Sequence, residues 1–169
     1  VRLHRPSLLK HLRDILILPF TVTVVIPIII HEPTDRFFLD NLPLLISGLF
    51  VQSTGVALFL YTVVLFGTYG RGTLAPWTPT EKLVVRGPYR YCRNPMIAGV
   101  LFILIGESMV YYSVNILIWA GIFFLINTTY FLVKEEPDLH KRFGDAYSEY
   151  KKNVPRWIPR LTPYGKEIT

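Results

Sequence analysis

Among the 169 residues there is one cysteine, Cys92, which excludes an internal disulfide and any cysteine-cluster zinc site. The four histidines, His4, His11, His31 and His140, offer no pair at ligand spacing on one helix, so no metal is expected. Gly70-Arg71-Gly72 follows no strand and opens no glycine-led helix, so it is not a nucleotide fingerprint. Internal repeats and low-complexity segments are missing as well. The most informative shortage is of charge within long stretches. Ionisable groups are costly in hydrocarbon, whereas a water-soluble bundle would repeat them every turn or two. Here 51% of residues are hydrophobic and the 18% that are charged are gathered between apolar runs. The net charge of +6 arises from residues flanking those runs instead of from a separate basic stripe, so no nucleic-acid partner is expected.

Four segments carry the apolar signal, and one domain over residues 1–169 holds them all. Residues 15–30 are short and interrupted by Pro19 and Pro27, yet with their neighbours they can cross a bilayer at about 1.5 Å per residue. No signal-cleavage pattern follows them, so they read as a span. Residues 43–68 and 114–133 contain no charged residue, and residues 96–112 contain one, Glu107. Ser113 alone separates the last two runs, which predicts a tight helical hairpin.

Lys and Arg concentrate in the N-terminal arm (Arg2, Arg5, Lys10, Arg13), the central loop (Arg71, Lys82, Arg86, Arg90, Arg93) and the tail, which carries eight, while the piece between the first two runs has only Arg36. The positive-inside rule then puts both termini and the central loop in the cytoplasm, as four spans require. In the tail, Leu139, Phe143, Ala146, Tyr147 and Tyr150 recur at helical spacing with charged residues on other faces. This predicts a cytosolic amphipathic helix over residues 137–153, ended by Pro155 and Pro159, with Trp157 and Tyr164 as interfacial anchors. The fold class expected is therefore all-α: a polytopic membrane bundle of about four spans with a C-terminal amphipathic helix.

Two polar clusters stand where spans meet the cytosol. Around Tyr89, Arg93 and Asn94, Pro95 suits the first turn of the third span and Asn94 can cap it; free N–H groups there, with Arg93, suit a carboxylate or phosphate. Glu135 and Glu136 directly follow the fourth span. A tight hairpin returns them beside Arg93, so anion-binding groups and carboxylates become neighbours. Glu107 lies some 16 Å into its helix, where a carboxylate is functional or is paired with Asn127, Thr128, Ser108 or another span. Gly99 and Gly106 share a face, which permits close helix contact or room for a flat ligand.

The run Gly87-Pro88-Tyr89-Arg90, then Arg93-Asn94-Pro95-Met96 and Gly99, then Glu135-Glu136, Leu139, Phe143-Gly144, Tyr147, Tyr150, Val154-Pro155 and Ile158-Pro159 resembles the isoprenylcysteine carboxyl methyltransferase and phospholipid methyltransferase superfamily. Gly72-Thr73-Leu74-Ala75-Pro76-Trp77 looks like its bacterial members. The resemblance implies methyl transfer from S-adenosylmethionine to a lipid or prenylated acceptor entering from the bilayer. It also implies a cofactor held by Tyr89, Arg93, Asn94, Pro95, Met96, Ile97, Gly99, Gly106, Glu107, Glu135 and Glu136, with Arg93 and Glu136 as the catalytic pair. Many members carry histidine where Asn94 stands and tyrosine where Ile97 stands, so a titrating group and a ring are missing at those positions. A sterol-reductase-like enzyme using NADPH, which shares the tail motifs, and a non-catalytic membrane scaffold are the competing expectations.

Overall fold

A computed structural model of the protein describes residues 16–32, 41–70 and 82–165. The N-terminal arm with His4 and His11, Arg36, Arg71 and the motif at 72–77 lie outside the described residues. The described structure is helical, with no strand among the described residues, which agrees with the expected all-α class and is compatible with a helical membrane bundle.

The first apolar run is wound as a π-helix, Leu16–Val25, that passes into an α-helix at Ile26–Ile30; together these form α1. Pro19 and Pro27 each lack a main-chain donor, and π-winding is where a helix absorbs such a defect. The second run forms α2, Leu42–Tyr69, started by Asn41, whose side-chain oxygen accepts the Leu44 N–H at 3.2 Å. Only 17% of its most apolar stretch is buried, and Ile46, Phe50, Leu60 and Val64 all face outward. Such a surface suits a hydrocarbon solvent and is unfavourable in water.

Helices α3, Pro95–Val110, and α4, Val114–Tyr130, form the predicted hairpin. Tyr112 turns the chain at φ 50, and the Ser113 hydroxyl accepts the Ile116 N–H at 3.3 Å to start α4. Phe59 of α2 packs against Val100, Ile103, Leu104, Ala120 and Phe123 to make the core between the helices.

The end of the fourth run differs from expectation. No break separates it from the tail helix: one π-wound turn, Phe131–Glu135, joins α4 to α5, Glu136–Asn153, giving a continuous helix of 40 residues. Pro137 has no N–H to return to the preceding turn, and the π-turn just before it absorbs the missing bond. The helix bends further along, at Gly144 (φ 51, ψ −125).

A second core lies beyond the membrane-type helices, where Leu83 and Val85 pack against Tyr147, Tyr150, Val154 and Tyr164. The chain after α5 is strapped to the segment leading into α3. Arg93, Arg160 and Tyr164 each donate a main-chain N–H across this seam, to Pro155, Tyr91 and Arg90 respectively, at 2.9–3.0 Å. Tyr164 is therefore buried, and Trp157 meets the Phe124 and Phe131 rings in tilted contact, centroids 5.0 and 5.8 Å away. The strap sets Tyr164 within the second core and leaves Trp157 half-buried.

Candidate functional site

The start of α3 and the start of α5 meet. Arg93 Nη1 donates to Glu136 Oε1 at 2.7 Å and to the Tyr147 hydroxyl at 3.2 Å. The hairpin thus joins groups 43 residues apart in one contact. Arg156, which the sequence reading passed over, donates to the same carboxylate oxygen through Nε at 2.9 Å and Nη2 at 2.6 Å. Lys151 reaches the other oxygen at 2.7 Å. The signal for Arg156 was its place inside Val154-Pro155-Arg156-Trp157-Ile158-Pro159, whose prolines set the strap against Arg93.

The two adjacent glutamates are therefore in opposite states. Burial pushes the Glu136 carboxyl up, but bonds from Lys151 and Arg156 and the field of Arg93 outweigh it and hold the group below its ordinary value. Glu135 has no hydrogen-bond or ion-pair partner among the described residues. Burial, then repulsion from Glu136, push it up to about 7, with Arg142 only partly offsetting them. The Tyr89 and Tyr150 hydroxyls are pushed up mainly by burial, and that of Tyr150 donates to the Tyr89 carbonyl at 2.6 Å.

A cavity of about 660 Å³ begins at this ionic cluster and runs between α1, α3 and α4. That volume lies within the usual range for small-molecule sites, about 300–1,000 Å³. Of the residues expected to hold a cofactor, Tyr89, Arg93, Asn94, Met96, Ile97, Glu135 and Glu136 line it. Asn94 stands at the cap position of α3, yet its side chain makes no capping bond, so its polar group is left to the cavity. Pro95 lines a smaller apolar cavity of about 440 Å³ on another side, with Tyr61, Phe102 and Trp157.

Gly99, Gly106 and Glu107 line neither cavity. A Cβ on Gly99 would meet the Phe59 main chain at 2.9 Å, and one on Gly106 would meet that of Gln52 at 2.5 Å. These glycines serve contact between α2 and α3, and no space for a flat ligand remains on that face. Glu107 turns to the same side, within 3.5 Å of Gln52 Nε2 on another span. Of the residues expected to touch a cofactor, these three face α2 in this structure.

An apolar cavity headed by ionic groups, within helices whose outer faces are largely apolar, points to a helical protein of membrane type. Its family follows from comparison: a model described as phospholipid methyltransferase matches residues 44–146, and the chain belongs to that family. The family supports methyltransferase activity on lipid-type substrates, and with the two long apolar helices, α2 and α4–α5, it points to a membrane protein. The match takes in α2, which carries no signature recognisable by eye, and stops before Lys151 and Arg156. An uncharacterized protein of Haemophilus influenzae is 35% identical over 65 residues, 37% of this chain and 100% of that protein. Among the described residues no cluster of three metal-ligating side chains occurs.

Proposed function

We propose that this chain, as a single domain, is an integral membrane methyltransferase that uses S-adenosylmethionine to methylate a lipidic acceptor at the cytosolic face. The acceptor is an isoprenylcysteine-type carboxylate or a phospholipid amine. The observation that carries the reading is the split state of the paired glutamates beside Arg93, at the head of an apolar cavity. The donor's amino-acid end bears a carboxylate and an ammonium, and the residues present fit it. Among the described residues, Arg93 keeps one buried guanidinium nitrogen, Nε, without a partner, and Glu135 is a cavity-lining carboxylate without an ion pair. Glu135 would take the ammonium, while Arg93 and the N–H groups opening α3 would take the carboxylate.

When bound, S-adenosylmethionine supplies an electrophilic methyl group. The chain's own contribution is placement and exclusion of water. Glu136, already saturated by three cations, is a positioning residue that fixes the Arg93 guanidinium; a carboxylate so held is a poor proton acceptor, which sharpens the earlier expectation of a catalytic pair. Tyr147 braces Arg93 from the other side. The apolar walls at Ile97, Val100 and Phe123 keep the reacting region dry. A carboxylate acceptor needs no general base there, whereas an amine acceptor must arrive unprotonated.

The test uses purified protein in detergent, with binding of labelled methyl donor and of NADPH measured in parallel. The wild type is expected to bind the donor and not NADPH. Arg93→Ala and Glu135→Gln are expected to lose donor binding by tenfold or more, the scale of one charge-assisted contact of roughly 1.5–3 kcal/mol. NADPH binding without donor binding would overturn the reading in favour of a reductase, and binding of neither would leave a scaffold. Incubation with native lipid extract then separates the acceptors, since a methyl ester is released by alkali and a methylamine is not.

A further inference from the structure

At the end of the large cavity away from the ionic cluster, α1 and α4 touch. Among the lining residues, Val22 on α1, Val100 on α3 and Trp119 on α4 lie farthest along their helices from Arg93 and Glu135. Trp119 precedes Glu135 by sixteen residues, about 24 Å of helix at 1.5 Å per residue. Its indole N–H donates to the Val22 carbonyl at 3.1 Å. The reason this carbonyl is free is local. In π-winding a carbonyl's donor stands five residues later, and for Val22 that residue is Pro27, which has no N–H. One turn before Trp119, Asn115 donates in the same way to the Ile30 carbonyl at 3.0 Å, at the unsatisfied end of α1. Two side chains on one face of α4 thus bond two main-chain carbonyls of α1 that their own helix leaves free.

This contact holds a large, flat ring of the cavity lining in one orientation. A Trp ring held by packing alone can swing between rotamers, whereas an indole bonded to main chain in a dry site loses that bond when it moves. The floor is therefore of fixed depth. We propose that Trp119 sets the maximum length of the apolar tail that the cavity accepts, making it the specificity-determining residue for the lipidic acceptor. The proposal rests on the lipidic-acceptor reading above. The contact joins Trp119, inside the segment matched by the family model, residues 44–146, to Val22 and Pro27 of α1, which lie before it.

Tail binding can be read without methyl transfer, which separates this proposal from the donor chemistry. The probes are single-chain lysophosphatidylethanolamines with progressively longer saturated tails, titrated onto the full chain in detergent and followed by native mass spectrometry. Wild-type affinity is expected to rise by about fourfold per added methylene and then to break at the length that meets Trp119. Trp119→Ala should move the break to longer tails, and Val22→Phe should move it to shorter ones. Trp119→Phe, which keeps a ring and removes the N–H, should blur the break without abolishing it. A break at the same length in the wild type, Trp119→Ala and Val22→Phe would overturn the proposal, as would the absence of any break in the wild type. Should the break shift as stated while no donor binds, the tail site stands and the methyltransferase reading falls.

Discussion

At the residue scale, the two neighbouring glutamates show how far one position along a helix can separate two carboxyls. Glu136 faces Arg93, Arg156 and Lys151, while Glu135 lines the cavity without an ion-pair partner among the described residues, influenced only at longer range by Arg142. The sequence places both beside Arg93 but does not say which is already neutralised, because Arg156 and Lys151 reach the site only through the path of the strap. The difference gives a pH dependence. An ammonium is held by the ionised carboxyl, and Glu135 titrates near about 7, so donor affinity should rise with pH through that region and level off above it. In unfolded chain the same carboxyl ionises at its lower ordinary value. Its folded value is raised, so its contribution to stability is full below the ordinary value and is lost as pH rises through about 7. A donor titration from pH 5.5 to 8.5 checks this: Glu135→Gln should flatten the profile, and an unchanged profile would assign the titration to another group.

At the element scale, the parts legible in the sequence are those governed by solvent. The charge-poor runs, Glu107 being their one charged residue, and the Ser113 turn give α2, α3, α4 and the hairpin nearly residue for residue, because charge is avoided in an apolar solvent wherever the helix happens to pack. What was not legible is winding and facing. Pro19 and Pro27 read as interruptions, yet the chain continues past them as one helix with π-winding, and the carbonyls left free at Val22 and Ile30 are met by Trp119 and Asn115 of α4, which the run itself does not display. Gly99 and Gly106 likewise left two faces open to choice, and contact with α2 decided it. Leucine in place of Gly106 should therefore push α3 from α2 and lower stability by roughly 1–3 kcal/mol, the usual scale of overpacking. Leucine at Gly121, where a Cβ meets nothing within 4 Å, is the matched control. Thermal unfolding of both variants in detergent compares them; equal midpoints would refute the close approach.

At the scale of the whole molecule, the proposed arrangement is four crossings with the ionic cluster, the central loop and both termini on the cytoplasmic side. Two of these helices, α2 and α4–α5, are long enough by themselves, whereas α1 and α3 are shorter apolar helices. Short helices cross by thinning the bilayer or by being carried among longer neighbours. Reporter fusions at each terminus should both report cytoplasm, and a tag placed after Glu32 should be reachable from outside; termini on opposite sides would replace four spans with an odd number.

The strap from Pro155 to Tyr164 also has a consequence in time. Every helix that lines the cavity leaves the ribosome before the strap does, and Arg156 is what completes the hold on Glu136 and, through it, on Arg93. Synthesis proceeds from the N-terminus, so the bundle can enter the membrane while the ionic cluster still lacks a member. A nascent chain therefore carries the cavity walls before the hold on Arg93 is complete, and the strap is the latch that completes it.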